Sequence, residues 1–171
     1  MKRLCTYMLL LLAGMLGLCA VAGAETAAEL DARGLSHFGK AFHEATPHKE
    51  AARAASEYGQ AEAAFQEAIR QKPGWVEPYL HLGRTYFVQQ KYPQAAELYR
   101  RALTMAPERK EIYLQLASAL EMGGDYEGAV KVLQTLRAQE TDERAIAMLD
   151  KFIKRLQARV QAPPTDKPGG R

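Results

Sequence analysis

The sequence predicts an all-α protein in which pairs of antiparallel helices stack in series. Three observations support this: side chains of matched size recur every 34 residues, they follow helical spacing, and turn-forming residues separate the helices. The recurrence links two sets of eight positions. The first set is Tyr79, Leu82, Gly83, Tyr86, Ala95, Tyr99, Ala102 and Pro107, and the second is Tyr113, Leu116, Ala117, Leu120, Ala129, Leu133, Leu136 and Thr141.

The first helix of the clearest repeat has one apolar face. Tyr79, Leu82 and Tyr86 follow the spacing i, i+3 and i+7, which places them on one side of a helix. Gly83 on this helix, and Ala117 one repeat later, are small where a partner helix must come close. The second helix also alternates small and bulky side chains. The pattern therefore predicts that neighbouring helices interlock.

Turn-forming residues separate the predicted helices. Pro93 suits the first turn of a helix, where its missing N–H costs no hydrogen bond. Gly123 and Gly124 suit a helix end, and Asp125 is expected to cap the helix that follows.

The segment of residues 124–129, Gly-Asp-Tyr-Glu-Gly-Ala, resembles the turn of the tetratricopeptide repeat. Residues 76–109 match that family's pattern at every signature position, with Tyr79 where tryptophan is usual. Residues 110–143 match less fully, because Thr141 replaces the expected proline. The resemblance implies a right-handed superhelical stack with a concave groove, and a non-catalytic role in binding a protein or peptide.

An irregular first repeat is predicted over residues 25–75, where the two halves of the pattern lie about ten residues too far apart. Residues 45–58 are expected to form a loop followed by an extended second helix, and Pro47 should end any helix before it. The first-helix pattern falls on Leu35, Phe38, Gly39 and Phe42, and the second-helix pattern falls on Ala61, Phe65, Ala68 and Pro73.

A capping helix is predicted over residues 144–161, following Asp142. A terminal helix of a repeat stack must cover the last core and present a polar face to water. Residues 162–171 contain too few apolar side chains to fold, so we expect a disordered tail. The apolar side of the helix carries Ile146, Leu149, Phe152, Ile153, Leu156 and Val160, and the basic side carries Lys151, Lys154, Arg155 and Arg159.

The amino-terminal segment has the pattern of an export signal. Lys2 and Arg3 precede an uncharged apolar stretch, residues 4–24, that ends in small residues. We expect a signal peptide of residues 1–24, cleaved after Ala24, and a protein exported to the bacterial periplasm.

Two alternatives to cleavage stay open. An uncleaved leader of this length can span a bilayer as an anchor. A lipid on Cys19 would also attach the chain to a membrane, although Leu18 departs from the small residue that a lipoprotein signal places before its cysteine.

The sequence contains no pattern typical of catalysis. It has no glycine-rich phosphate loop, paired cysteines or nucleophile elbow, so we expect no enzyme activity and no cofactor. A net charge of +3 without a basic block argues against nucleic acid as a partner. We expect surface histidines and no metal site, since His37 and His43 lie on roughly opposite sides of one helix. The other histidines are His48 and His81.

The resemblance places the partner-binding residues on the groove face of each first helix. Leu80, Phe87 and Leu114 would form an apolar strip, and Lys40 and Arg84 would hold an acidic group. Leu80 and Leu114 stand where some family members clamp a terminal carboxylate with polar side chains, so we do not expect that mode. The predicted groove residues are Lys40, Leu80, His81, Arg84, Phe87, Leu114 and Ser118.

These patterns predict an interaction module of the cell envelope that binds a partner protein or peptide in its groove. The alternative is a structural subunit of an envelope assembly complex, attached to the membrane by its leader or by a lipid. Contact with a membrane is expected only in that second case.

Overall fold

A computed structural model describes residues 25–44 and 51–161, which form helices and contain no strand. The predicted signal peptide, Cys19, His48 and the predicted tail lie outside these residues. Within the described part, no helix combines the length and apolar character that a bilayer crossing requires. The helices are α1 (Ala27–Glu44), α2 (Ala51–Gln71), α3 (Val76–Val88), α4 (Tyr92–Met105), α5 (Lys110–Met122), α6 (Tyr126–Gln139) and α7 (Glu143–Gln161).

Each helix packs against the next helix in the chain, and α1 also contacts α3. The pairs α1–α2, α3–α4 and α5–α6 are therefore hairpins stacked in series, and α7 covers the last of them. This arrangement confirms the predicted α-solenoid of helix pairs. The core runs continuously from the first hairpin to α7.

The hairpins interlock through the small and bulky side chains that mark the repeat. A Cβ atom on Gly83 would lie 2.7 Å from the ring of Tyr99, so only glycine admits this tyrosine. One repeat later, Ala117 and Leu133 are both fully buried in the same core. The larger side chain of one helix is thus matched by a smaller one on its neighbour.

Two tyrosines repeat one hydrogen bond with the period of the sequence. Tyr79 donates its hydroxyl to the carbonyl of Pro73 at 2.9 Å, and Tyr113 donates to Pro107 at 3.1 Å. Both rings are buried, so the bond satisfies a polar atom that would otherwise be costly in the core. Each tyrosine therefore ties its helix to the end of the preceding one.

The turns within the second and third hairpins share one backbone geometry. Gln90 has φ 61° and Gly124, one repeat later, has φ 85°, so both are left-handed. The Asp125 carboxylate accepts a hydrogen bond from the N–H of Gly128 at 2.8 Å, which confirms the predicted cap of α6.

The packing of the first hairpin differs from the register that the sequence predicted for α1. A Cβ on Gly34 would lie 2.5 Å from the ring of Phe65, whereas nothing lies within 4 Å of one on Gly39. Gly34, not Gly39, thus takes the place that Gly83 holds in the second hairpin. Leu35 and Phe42, expected in the core, are 43% and 53% exposed.

Helix α7 buries Leu149, Ile153 and Leu156 against the third hairpin and keeps its charged side in solvent. It begins at Glu143, and the Asp142 carboxylate accepts from the N–H of Ala145 at 2.8 Å. The segment therefore closes the core as a terminal helix should.

Candidate functional site

A cavity of about 300 Å³ opens between α3, α4 and α5. We name it the central cavity. Four of the predicted groove residues, Arg84, Phe87, Leu114 and Ser118, lie together in its wall. The complete lining is Arg84, Phe87, Tyr99, Leu114, Gln115 and Ser118.

The apolar part of the central cavity consists of the packed ring of Phe87 and the exposed side chain of Leu114. Phe87 is half-buried and packs edge-on against Tyr92, with ring centroids 5.4 Å apart. Leu114 is 43% exposed. An incoming apolar group would meet a fixed aromatic ring and an uncovered aliphatic side chain.

The polar part of the central cavity supplies one cation and one unused acceptor. The exposed Arg84 lines the cavity, and its guanidinium lies 5.2 Å from the ring centroid of Phe38 on α1. The Oε1 atom of Gln115 is buried without a hydrogen-bond partner among the described residues. Burial raises the pKa of Tyr99 to about 12, so its phenol stays neutral at the cavity floor.

The structure moves two predicted groove residues out of the cavity wall. Leu80 is only 8% exposed and belongs to the hydrophobic core, so it cannot contribute to an open apolar strip. The Nδ1 atom of His81 lies 2.8 Å from Oδ1 of the buried Asp31. His81 therefore joins α3 to α1 and is engaged within the fold.

Lys40 is exposed, but it lies beside Glu57 of α2 and does not line the central cavity. The register correction explains this, since placing Gly34 against Phe65 turns Lys40 away from the position that the pattern assigned to it. The hydrogen bond from His37 is the main cause that lowers the pKa of Glu57, and the charge of Lys40 adds to it.

Two histidines, His37 and His81, are paired with carboxylates, whereas the sequence predicted surface histidines. The Nδ1 atom of His37 lies 2.6 Å from Oε2 of Glu57, and both side chains are largely buried. His43 is exposed and contacts Phe42 edge-on. Among residues 25–44 and 51–161, no three metal-ligating side chains cluster.

A second and larger opening, of about 720 Å³, was not predicted. We name it the C-terminal pocket. It lies between α5, the end of α6 and α7, and Leu114 lines both openings. Sequence patterns assigned Leu136, Leu149 and Phe152 to the buried side of their helices and left Met148 unassigned. Its apolar wall is formed by Leu114, Leu136, Met148, Leu149 and Phe152.

The comparisons with known proteins agree with this geometry. Residues 88–151 match a sequence model described as tetratricopeptide repeat. These residues therefore carry the tetratricopeptide repeat pattern. No curated protein sequence matches this chain.

Solved tetratricopeptide repeat structures share the fold. The TPR2B domain of yeast Sti1, described as a complex with pHsp70, is 19% identical with a TM-score of 0.56, covering 78% of this chain and 94% of its own. The second TPR domain of human RPAP3, in complex with an HSP70 peptide, is 16% identical with a TM-score of 0.54, covering 75% and 98%.

A bacterial structure shows the same likeness. SycD, a type III secretion translocator chaperone of Yersinia enterocolitica, is 14% identical with a TM-score of 0.57, covering 85% of this chain and 95% of its own. At these identities the likeness shows the fold alone.

Proposed function

We propose that this protein is a non-catalytic interaction module that binds a segment of a partner protein across the central cavity. The observation that carries the proposal is the cavity itself, where apolar, cationic and hydrogen-bond-accepting groups converge on one opening. Structures of yeast Sti1 and human RPAP3 domains with the same fold are described with Hsp70 peptides, which supports peptide binding as the mode. The proposal requires no cofactor.

Each group in the cavity has a defined role toward such a segment. Phe87 and Leu114 receive an apolar side chain, because burying their exposed surface is favourable. The Ser118 hydroxyl, which lines the cavity and is partly exposed, hydrogen-bonds the backbone of the segment. Arg84 faces a carboxylate or a carbonyl oxygen of the segment.

We further propose that the module works in the bacterial cell envelope. The basic start and apolar stretch of residues 1–24 support export. The mass of the chain purified from exporting cells tests this proposal. Loss of residues 1–24 is expected, whereas an intact leader or a lipid on Cys19 would support the membrane-attached alternative.

The capture of envelope proteins by purified chain tests the binding role. The double variant Arg84→Glu, Phe87→Ala should reduce capture of its specific partner at least about tenfold, since aromatic and arginine anchors dominate interfaces. Circular dichroism should show unchanged helix content.

The matched control is Arg101→Glu, an exposed arginine of α4 that does not line the cavity. Its capture should equal that of the unmodified chain. Full capture by the double variant would show that the central cavity is not the binding site.

A further inference from the structure

The C-terminal pocket, of about 720 Å³, is mostly apolar, and the proposed function does not use it. Leu136 and Leu149 are buried and form its floor, whereas Met148 of α7 is 71% exposed at its edge. An exposed methionine beside a leucine floor is adaptable in shape, which suits a surface that receives varied apolar side chains.

The rim of the C-terminal pocket carries more positive than negative charge. Lys110, Lys151 and Arg155 line it together with one carboxylate, that of Glu140. Lys151 is exposed and forms no ion pair with other described residues. The Arg155 guanidinium lies 4.4 Å above the ring of Phe152 and donates hydrogen bonds to the Glu121 carboxylate at 2.9 and 3.1 Å, so its charge is already paired.

The one carboxylate at the rim is already engaged. Glu140 accepts hydrogen bonds from Lys110 at 2.8 and 2.9 Å and from the N–H groups of Thr141 and Asp142. These bonds, that of Lys110 first, lower the pKa of Glu140 to about 2. Its side chain is also almost fully covered. An acidic ligand would therefore meet the free charge of Lys151, since Lys110 is paired with Glu140 and Arg155 with Glu121.

We propose that the C-terminal pocket binds a bulky apolar side chain of a partner segment that is flanked by aspartate or glutamate. The apolar wall takes the side chain, and the carboxylates face the unpaired Lys151. The inference rests on the proposed function, because the same segment would continue from the central cavity across Leu114. It adds the chemistry of the partner: an acidic sequence with an apolar anchor.

The test uses purified chain with ¹³C-labelled methionine methyl groups and synthetic peptides as probes. The peptide Ser-Gly-Glu-Glu-Phe-Glu-Glu-Gly-Ser should shift the NMR signal of the Met148 methyl group in a saturable way. Met105 and Met122 do not line the pocket and serve as internal references. Peptides with lysine in place of glutamate, or serine in place of phenylalanine, should bind at least about tenfold more weakly.

Two exposed lysines of α7 provide a matched pair of variants. Lys151→Glu should weaken the acidic peptide about fivefold by reversing a rim charge, while Lys154→Glu, which does not line the pocket, should leave affinity unchanged. Equal effects of both variants would show that peptide affinity depends only on the net charge of the protein, which would overturn the proposal. Equal binding of acidic and basic peptides would also overturn it.

A Met148 signal that shifts with protein concentration alone would show that a second copy of the chain covers the pocket, which contradicts the proposal. Failure of this inference can be distinguished from failure of the proposed function. If Lys151→Glu retains full partner capture while Arg84→Glu, Phe87→Ala loses it, the central cavity stands and the C-terminal pocket inference fails.

Discussion

The first and second hairpins make the same central contact with helices of different length. Phe65 packs on Gly34 in the first hairpin as Tyr99 packs on Gly83 in the second. Yet α1 and α2 have 18 and 21 residues, whereas α3 and α4 have 13 and 14. Both hairpins therefore keep the match of a bulky and a small side chain, while the length of the helices beyond it differs.

Aromatic packing stabilises the extra length of the first hairpin. Phe38 contacts both Phe42 and Tyr58, each with ring centroids 6.0 Å apart. The contact with Tyr58 joins the extended part of α1 to α2, so the extension is held by side chains that the later hairpins do not need.

Among the variants that test this comparison, Gly34→Ala is expected to change the free energy of unfolding most. The added Cβ would meet the fully buried ring of Phe65, which cannot move aside, so we expect a loss of about 2 kcal/mol in the free energy of unfolding. This value already includes the stabilisation that alanine gives a helix relative to glycine. Urea unfolding followed by circular dichroism measures it.

Gly39→Ala is the matched control on the same helix. Nothing lies within 4 Å of its added Cβ, so alanine should stabilise the protein by up to about 1 kcal/mol. If instead Gly39→Ala destabilises the fold and Gly34→Ala does not, the register given for the first hairpin is wrong.

A smaller effect is expected at the left-handed turns of the second and third hairpins. Gln90→Gly should stabilise the protein by about 1 kcal/mol, because glycine adopts a positive φ without strain. Gly124→Ala, at the equivalent position, should destabilise it by about the same amount. Thermal unfolding of both variants checks this pair, and changes of the same sign would contradict the shared geometry.

Much of the fold was predictable because its physical determinants are local. The 34-residue period is visible in equivalent residues such as Tyr79 and Tyr113. The cap at Asp125 is predictable from the glycines before it and the helix pattern after it. The register of α1 was mispredicted because an insertion separates it from α2, so the sequence offers two glycines, Gly34 and Gly39. Only tertiary packing decides between them.

The site was predictable in part for a similar reason. Arg84, Phe87 and Ser118 were found from their positions between the core residues of their helices. The unpaired acceptor of Gln115 was not, because hydrogen-bond satisfaction depends on neighbouring helices. The C-terminal pocket was missed because exposure of Met148 depends on how α7 docks.

Site-specific photo-crosslinking in cells tests the central claim most directly. A benzoylphenylalanine introduced in place of Ser118, which lines the central cavity, should yield a discrete adduct with a partner protein. The same group in place of Arg101, outside the cavity, should yield none. Adducts from the Arg101 position alone, or equally from both, would contradict binding through the central cavity.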